Sequence, residues 1–418
     1  MKQYIEIILI NLLFVALISC SNTPAMKSVE FGLDVLQKDQ FALLKNKKVG
    51  VITNQTGLDS RGQHIADILH SAPEVEVVAL FGPEHGIRGN IEGGFTVSKQ
   101  IDEQTGVPIY SLYGETKKPT PEMLQNIDAL VFDIQDVGAR FYTYISTMAL
   151  AMEAAAENDI QFVVLDRPNP ITGSIVEGPV LKEEFKSFVG IHPIALRHGM
   201  TIGELAMLFN EEGYLKNGVK AGLSVVQMNN WHRNTYYGEL DLNWIRPSPN
   251  MPDPETALLY PGIGLLEATV ISEGRGTSIP FKNIGAPWLS SATLWEKLEE
   301  IEIEGINFDT TSFVPVDMPG AAVNPKFEGL KCKGLKLKVT KPTSFMSVKF
   351  GVHLICLIRE MHPDKFDWRS IRGIDIMAGT DEFRKSVEAG IPAEEILASF
   401  DSDLKKFMAV RQKYLLYE

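Results

Sequence analysis

Glu84 is the residue of this sequence whose position best suits acid–base chemistry. It lies in the motif Gly82-Pro83-Glu84-His85-Gly86, directly after an apolar run, although glutamate is a poor turn residue. The glycines on both sides allow the backbone to approach a ligand closely. A partly buried carboxyl group there can donate a proton, and His85 can contact either the ligand or Glu84. Two structural alternatives stay open: Glu84 pairs with Arg88, and His85 only shapes the loop.

Similar polar clusters follow three further apolar runs, and together they predict a ligand site. The four runs are rich in Val, Ile, Leu or Phe, as in strands buried on both faces of a parallel sheet, and they cover residues 48–53, 75–81, 129–134 and 161–165. Ligands of open α/β sheets bind beyond the carboxyl ends of the strands. We therefore assign to the site the polar residues that follow these runs, namely Asn54, Glu84, His85, Asp133, Asp136, Arg140, Tyr142, Asp166 and Arg167.

The aspartates and arginines of these clusters have alternative roles. Asp133 and Asp136 can serve as a base, as a second carboxylate or as ligands of hydroxyl groups, whereas Asp133 can instead cap the loop. Arg140 can bind a carboxylate ligand through two hydrogen bonds or pair with an aspartate. In the second half of the chain, a glycine-containing loop at residues 272–277 offers Glu273 and Arg275, either as site residues or as an ion-paired turn.

The motifs of several other enzyme classes are absent from the sequence. It has no Gly-x-Ser-x-Gly, no Walker loop and no His-Glu-x-x-His, and its eight histidines are scattered, so we expect no metal and no cofactor. A metal site of His85 with Asp133 or Asp136 is the alternative. Glycoside hydrolysis fits the carboxylates, because one carboxyl protonates the leaving oxygen while another acts as nucleophile or base. The net charge of −13, without a dominant basic stretch, argues against nucleic acid as a partner.

Apolar runs alternate with helix-like segments between residues 47 and 166, which predicts an α/β doubly wound domain. The helix-like segments cover 62–70, 121–126 and 142–157, followed by 201–212, where Thr201 and Glu204 form a capping box. A further strand is expected at 223–228. The alternation of strand-like and helix-like segments stops near residue 245, where we place the domain boundary. The proline-rich residues 246–262 predict a long irregular segment. Beyond it we expect strands at 268–271 and 335–340 and helices near 290–302, 346–360 and 381–389.

The N-terminus predicts export. Lys2 precedes an apolar run at residues 7–18, which has the length of a signal-peptide core and is too short to span a bilayer. The run ends in Leu17-Ile18-Ser19-Cys20, similar to the lipobox of bacterial lipoproteins. We therefore expect a signal peptide at 1–20, a lipid on Cys20, a tether at 21–28 and a membrane-anchored protein in the periplasm or at the outer membrane. The alternative is an ordinary signal peptide with an incidental cysteine. Cys332 and Cys356 are expected to be unpaired structural thiols.

Nine ordered sequence blocks resemble a bacterial family, the exo-acting β-N-acetylmuramidases, which was long catalogued as a domain of unknown function. The blocks lie at residues 52–57, 81–89, 111–114, 133–144, 165–170, 197–201, 247–252, 272–277 and 284–288. The resemblance implies a Rossmann-like catalytic domain, here 29–245, and a smaller α/β domain, here 246–418, with the site between them. It also implies hydrolysis of terminal, non-reducing N-acetylmuramic acid from peptidoglycan fragments during cell-wall recycling.

The resemblance implies roles for particular residues of these blocks. The family's proposed catalytic residue corresponds to Glu84, and the candidates for a second carboxylate are Glu273, Asp133 and Asp136. N-acetylmuramic acid carries a lactyl carboxylate, for which the expected partner is Arg275 or Arg140. The remaining expected contacts are a ring stacked on the sugar, from Tyr142 or from Trp288 unless the latter belongs to the core, and the side chains of His198 and Asn250.

Two other functional classes fit the same sequence. A non-catalytic cell-wall lipoprotein would keep the sugar pocket and show no turnover. An amidase acting on muropeptides would need a nucleophile or a metal that the sequence does not reveal.

Overall fold

A computed structural model describes residues 28–84, 86–89 and 100–418 of the chain. The predicted signal peptide at 1–20, Cys20, nearly all of the predicted tether and His85 therefore lie outside the described residues. Across the described ranges, no helix combines the length and the apolar character needed to cross a membrane.

The first half of the chain is built on a mixed, mostly parallel sheet, which within the described residues has seven strands in the order β3-β4-β2-β1-β5-β6-β9. β3 pairs antiparallel with β4 at the edge, and the other pairings are parallel. The predicted α/β doubly wound fold is confirmed. The strands are β1 (Lys47–Thr53), β2 (Val75–Gly82), β3 (Gln100–Ile101), β4 (Pro108–Ser111), β5 (Ala129–Asp133), β6 (Gln161–Leu165) and β9 (Gly222–Val226), while β7 (Glu177–Val180) and β8 (Ala195–Arg197) form a separate hairpin.

Helices cover both faces of this sheet, which explains why its strands are apolar without alternation. In β1, Val51 packs in the cluster that contains the helices before and after β1, and Ile52 packs in the cluster on the opposite face. The residues that point to either face of the sheet must therefore be apolar. The helices of this half are α1 (Gly32–Lys38), α2 (Ile65–Ser71), α3 (Tyr144–Glu157) and α4 (Ile202–Glu211).

The predicted start of α4 is confirmed in detail. The Thr201 side chain accepts a hydrogen bond from the Glu204 backbone N–H at 3.2 Å, and the Glu204 carboxylate accepts one from the Thr201 N–H at 3.0 Å. By contrast, the helix predicted at residues 121–126 is wrong, because the segment forms only turns and Asn126 adopts a φ of 61°. Asn126, in the left-handed conformation, ends the segment after only a few residues, which is too short for a stable helix to form.

The second half contains a three-stranded antiparallel sheet, counted within the described residues, in the order β10-β12-β11, with helices packed around it. Its strands are β10 (Asn283–Ala286), β11 (Ile306–Phe313) and β12 (Cys332–Val339). Its helices are α5 (Pro254–Ile263), α6 (Ser291–Glu299), α7 (Ser347–Met361), α8 (Ile371–Ala378), α9 (Glu382–Ala389), α10 (Ala393–Ser399) and α11 (Asp401–Arg411). Cys332 and Cys356 are unpaired as predicted, and burial raises the pKa of each thiol to about 11.

Two expectations for this half are wrong. Residues 254–262, which belong to the segment expected to be irregular, lie in α5. Asp253 caps this helix by accepting the Thr256 N–H at 2.9 Å, and Pro254 occupies a first-turn position that needs no donor. Residues 268–271, expected to be a strand, form only the isolated bridges of Thr269 and Ser272 around an irregular stretch.

Buried arginines connect the two halves. Arg140, before α3, donates hydrogen bonds to the carbonyl oxygens of Met377 at 3.0 Å and Ala378 at 2.6 Å, at the end of α8. Arg197 in β8 donates to the Phe345 carbonyl at 2.9 Å and pairs with Glu177 at 2.8 Å. These contacts tie the end of α8 and the residues just before α7 to the first half of the chain.

Candidate active site

A cavity of about 360 Å³ lies where the loops of the first half meet the second half. From the first half it takes Glu84, which follows β2, and the residues at the start of α3. The rest of its wall comes from the loop at residues 248–250, from Tyr260 of α5, from Arg275 and from the turn at residues 320–323. In full, the lining residues are Glu84, Phe141, Tyr142, Thr143, Tyr144, Ser248, Pro249, Asn250, Tyr260, Arg275, Gly320, Ala321 and Val323.

Glu84 is half-buried in this cavity. The alternative pairing with Arg88 does not form, because Arg88 donates to both oxygens of Asp102 and both oxygens of Asp67, at 2.7 to 3.1 Å. The Glu84 carboxylate instead interacts with the Tyr113 hydroxyl. Burial and then the negative charge of Glu84 raise the pKa of Tyr113. Among the described residues, Glu84 thus has a neutral tyrosine as a neighbour and forms no ion pair with a cation.

Three tyrosines form the aromatic wall of the cavity. The Tyr142 ring packs edge-on against Tyr144 at 5.0 Å and against Tyr260 at 6.0 Å between centroids. The Tyr144 hydroxyl donates to the Pro247 carbonyl at 2.6 Å, which fixes the wall to the neighbouring loop. Burial raises the pKa of all three tyrosines, so that they stay neutral; the Tyr142 and Tyr260 hydroxyls can then donate to a polar ligand, whereas the Tyr144 hydroxyl can only accept.

Arg275 is the cation of the cavity wall. Its Nη2 lies 2.5 Å from Oε1 of Glu267, and its Nε donates to the same oxygen at 2.7 Å. Its guanidinium carbon lies 5.3 Å from the centroid of the Phe281 ring. Within the described residues, Nη1 of Arg275 has no hydrogen-bond partner. One edge of the guanidinium is therefore anchored, and the other is free for a ligand.

Glu273 lies behind this arginine and does not line the cavity. Its side chain is only 5% exposed, and its carboxylate accepts a hydrogen bond from Lys326 at 2.8 Å and lies 3.7 Å from Nε of Arg275. Lys326 also donates to the Leu266 and Ile271 carbonyls. The structure thus gives Glu273 contacts that hold Arg275 in place rather than contact with the cavity.

Asp133 and Arg167, both expected at the site, form a buried ion pair with each other. Nε and Nη2 of Arg167 donate to the two carboxylate oxygens of Asp133, at 2.5 and 2.9 Å. Burial raises the pKa of Asp133, and the charge of Arg167 opposes that effect. Neither residue lines the Glu84 cavity. The structure therefore places Asp133 in a buried ion pair rather than against a ligand in this cavity, because it is completely buried and outside the lining.

Asp166 stabilises the start of α4 instead of contacting a ligand. It is completely buried, and its carboxylate accepts hydrogen bonds from Thr201 Oγ1 and Gly203 N–H, each at 2.8 Å, and from the Tyr417 hydroxyl at 2.5 Å. Burial raises the pKa of Asp166 to about 7. The predicted substrate contact is thus replaced by a structural one.

Asp136 and His198 lie together in the interior near the tyrosine wall. Oδ2 of Asp136 accepts the Gly138 N–H at 2.8 Å and lies 3.4 Å from Nε2 of His198, which is fully buried. Oδ1 of Asp136 is buried without a hydrogen-bond partner among the described residues. The negative charge of Asp136 contributes to the raised pKa of Tyr142 and Tyr144. Neither Asp136 nor His198 is part of the cavity lining.

Three more predicted contacts fall outside the cavity. Arg140 is completely buried and does not line the cavity; besides the α8 carbonyls it donates to Pro179 O and Ile194 O, and only its Nε has no partner among the described residues. Burial lowers the pKa of Arg140 to about 9. Trp288 packs edge-on against His362 at 5.1 Å, away from the lining residues. Asn54 is buried and its Oδ1 accepts hydrogen bonds within its own loop.

Of the predicted site residues that the structure describes, the cavity brings together Glu84, Tyr142, Asn250 and Arg275. Asn250 donates to the Ala321 carbonyl and so connects the two loops of the far wall. The sequence prediction missed Tyr260 and the 320–323 turn, and it gave Tyr144 and Ser248 no role. Tyr260 was missed because α5 was predicted to be irregular, although the Asp253-Pro254 start signal was present in the sequence.

Fold and cavity define a two-domain α/β protein that places one carboxylic acid and one arginine in the wall of a polar cleft. Residues 49–255 match the family model described as exo-β-N-acetylmuramidase NamZ, N-terminal, and residues 258–417 match the corresponding C-terminal model. The chain therefore belongs to the exo-β-N-acetylmuramidase family, whose members are glycoside hydrolases.

Comparisons with individual proteins agree with this assignment. The chain is 47% identical over 399 residues to the peptidoglycan β-N-acetylmuramidase NamZ of Bacillus subtilis (strain 168), which covers 96% of this chain and 94% of that protein. Two crystal structures of DUF1343 family proteins from Bacteroides fragilis have similar folds. One has a TM-score of 0.87 at 37% identity, covering 93% of this chain and 99% of the other. The second has a TM-score of 0.75 at 38% identity, covering 94% and 99%.

Proposed function

We propose that this protein hydrolyses the glycosidic bond of a terminal, non-reducing N-acetylmuramic acid on peptidoglycan fragments, with Glu84 as the proton donor. The observation that carries the proposal is the composition of the cavity wall. Among the described lining residues, Glu84 is the single carboxylic acid and Arg275 the single cation. Protonation of a leaving oxygen needs the first, and recognition of a lactyl carboxylate needs the second.

Arg275 is our candidate for the group that selects muramic acid. The contacts with Glu267 occupy Nε and Nη2, and within the described residues Nη1 keeps its donors free. The aromatic wall supports the same substrate, since tyrosine rings offer apolar faces to a sugar ring and hydroxyls to its polar groups.

Asp136 and His85 complete the proposed catalytic group. Asp136 has a buried, unpartnered oxygen among the described residues, and its charge acts on Tyr142 and Tyr144. We propose Asp136 as the second carboxylate; because it does not line the cavity, it acts as a positioning residue through Tyr142 and Tyr144. His85 follows Glu84 directly in the sequence and keeps its proposed role as a partner of Glu84 or of the substrate.

The test is replacement of Glu84 by glutamine, which keeps the shape of the side chain and removes the proton. Release of a chromophore from a muramyl glycoside should fall by about 10²–10⁴-fold in kcat, as expected for a general acid. Glu115→Gln is the matched control, because Glu115 is exposed and does not line the cavity. Normal turnover by Glu84→Gln would refute the role of Glu84.

The same assay separates the other functional classes. A sugar-binding lipoprotein without activity would bind the muramyl glycoside and release no chromophore from it. An amidase would release peptide from muropeptides, and mass analysis of the products distinguishes free sugar from free peptide.

We also propose that the protein is an exported lipoprotein anchored through Cys20, in the periplasm or at the outer membrane. The proposal rests on the apolar run at residues 7–18 and the lipobox-like residues before Cys20. Metabolic labelling with an alkyne fatty acid should label the native protein and not a Cys20→Ala variant. Equal labelling of both would refute the anchor.

A further inference from the structure

A second cavity of about 310 Å³ opens beside the Glu84 cavity. Thr56, Gln135 and Arg167, which follow β1, β5 and β6, form its floor, and segment 237–245 forms much of its outer wall. β1 has β2 on one side and β5 on the other, so the strand order reverses between β1 and β5. The crevice outside the carboxyl ends of the strands at such a reversal is where open α/β sheets bind ligands.

Two largely buried side chains at this floor each have one polar atom without a partner among the described residues. Arg167 is 3% exposed, and the described residues give partners to its Nε and Nη2 but none to its Nη1. Gln135 is 4% exposed; its Nε2 donates to two carbonyl oxygens, and its Oε1 has no partner among the described residues. Neither atom is among the buried side-chain atoms that lack a partner, so both are open to the cavity, where a polar ligand can bind one donor and one acceptor.

The charges around the cavity disfavour an anionic ligand, because its two arginines are paired and Asp241 on the rim adds a negative charge without an ion pair among the described residues. Asp133 neutralises Arg167, and Asp59 neutralises Arg61 at 3.0 Å. An acetamido group is neutral and offers one carbonyl acceptor and one N–H donor, which complement Arg167 and Gln135. Trp244 and Tyr237, whose ring centroids lie 5.1 Å apart, give the wall apolar surface against which a sugar ring can pack.

The two cavities are close neighbours along one fixed segment of chain. Trp244 lines the second cavity and Ser248 lines the first, and four residues span at most about 14 Å. The ridge between them is held by Gln55, whose Nε2 donates to Arg246 O at 2.9 Å and Pro247 O at 3.1 Å. A single glycan can therefore extend from one cavity into the other.

We infer that the second cavity binds a further N-acetylated hexosamine of the glycan whose terminal sugar occupies the Glu84 cavity. The inference rests on the proposed function, because it assigns the remainder of the same substrate. It predicts that the protein distinguishes a glycan from a simple muramyl glycoside through residues far from the cleaved bond.

The test introduces bulky side chains at the rim of the second cavity so that a sugar can no longer enter it. Asp241→Trp and Asn243→Trp replace exposed rim residues to which no sugar contact is assigned, and Asp364→Trp replaces an exposed aspartate elsewhere. Two substrates are compared: a chromogenic muramyl glycoside with no sugar as leaving group, and an oligosaccharide of N-acetylglucosamine units with N-acetylmuramic acid at its non-reducing end. The two rim variants should raise KM for the oligosaccharide by about tenfold and leave kcat/KM for the chromogenic substrate within about twofold, whereas Asp364→Trp should change neither.

The outcomes separate this inference from the proposed function. Chromophore release by the native protein tests the hydrolysis itself. If that release occurs, then unchanged oligosaccharide KM in both rim variants, or equal losses on the two substrates, overturns the second sugar site alone. Calorimetric binding of the oligosaccharide to Glu84→Gln, compared with Glu84→Gln carrying Asp241→Trp, gives a readout that needs no turnover, and equal affinity of the two proteins would also overturn the site.

Discussion

Arg275 and Glu267 form an ion pair in the wall of the cavity that holds Glu84, with 2.5 Å between Nη2 of the arginine and Oε1 of the glutamate. Glu273 and Lys326 extend the pair into a network of four charged groups. Burial raises the pKa of Glu267, and the charge of Arg275 opposes that effect. The network fixes the guanidinium in one orientation before any ligand arrives, which reduces the entropy lost on binding.

Arg275 should discriminate between sugars with and without a lactyl carboxylate. Arg275→Ala removes a charge-assisted hydrogen bond, so kcat/KM for a chromogenic muramyl glycoside should fall by about 10- to 100-fold. The loss on the corresponding glucosaminyl glycoside should be much smaller, because that sugar has no carboxylate. The ratio of the two kcat/KM values is the measurement.

Two controls accompany this experiment. Arg275→Lys retains the cation and should recover part of the preference, while Arg372→Ala removes an exposed arginine away from the cavity and should change nothing. Because Arg275→Ala also leaves Glu267 without its ion-pair partner, whereas Glu273 keeps Lys326, the thermal stability of each variant is recorded. Equal losses on the two sugars would contradict a carboxylate-binding role.

Arg140, the other arginine that the sequence offered for this role, should behave in the opposite way. Its side chain bonds four backbone carbonyls in the interior, so Arg140→Met should destabilise the fold by about 3–5 kcal/mol. The free energy of unfolding from denaturant titration measures this loss. Below the unfolding transition, the preference for muramyl over glucosaminyl glycosides should be unchanged, and a selective loss on the muramyl substrate would reassign Arg140 to the site.

His192 should make the folded state sensitive to acid. It is 3% exposed, packs against Phe209 at 4.3 Å between ring centroids, and has no partner for either ring nitrogen among the described residues. Burial lowers its pKa from 6.5 to about 3. Below about pH 6.5, His192 is therefore protonated in the unfolded chain but stays neutral in the folded chain. The free energy of unfolding decreases as the pH falls through this range.

His192→Phe should remove this loss. Between pH 7 and about pH 4.5, the native protein should lose about 2–3 kcal/mol of unfolding free energy relative to the variant, at 1.36 kcal/mol per unit of pKa shift. Parallel denaturant titrations at each pH give the difference. His232→Phe is the control, because His232 is exposed. The idea fails if the two curves run parallel across the range.

Gly262 should tolerate no side chain, because α5 and α7 cross at this residue. A Cβ atom added there would lie 1.9 Å from the Ser347 carbonyl oxygen. Gly262→Ala should therefore destabilise the fold by about 3 kcal/mol or more, through overpacking that backbone atoms cannot relieve. Gly222→Ala is the matched control, since nothing lies within 4 Å of its added Cβ. Similar melting temperatures for the two variants would contradict the close crossing.

The elements that follow local rules were predictable. The strand at 161–165 has the predicted bounds, and α4 begins at the predicted capping box, because a buried apolar run and a capping hydrogen bond each depend on only a few consecutive residues. The helix expected at 121–126 and the strand expected at 268–271 failed, because each is short enough for tertiary contacts to override local propensity.

For the candidate site, the sequence alone determined that polar residues follow the central strands and that Glu84 sits among glycines at one of those ends. The sequence could not show which of the charged residues bind a ligand, because each can form its ion pair either within the protein or with a ligand. The tertiary structure decided which of these residues face the cavity, through contacts between residues that are distant in the sequence. Arg140 is enclosed by carbonyl oxygens as many as 238 positions away, whereas Arg275 keeps one face in the Glu84 cavity. Burial of a charged group requires partners that only the folded chain brings together.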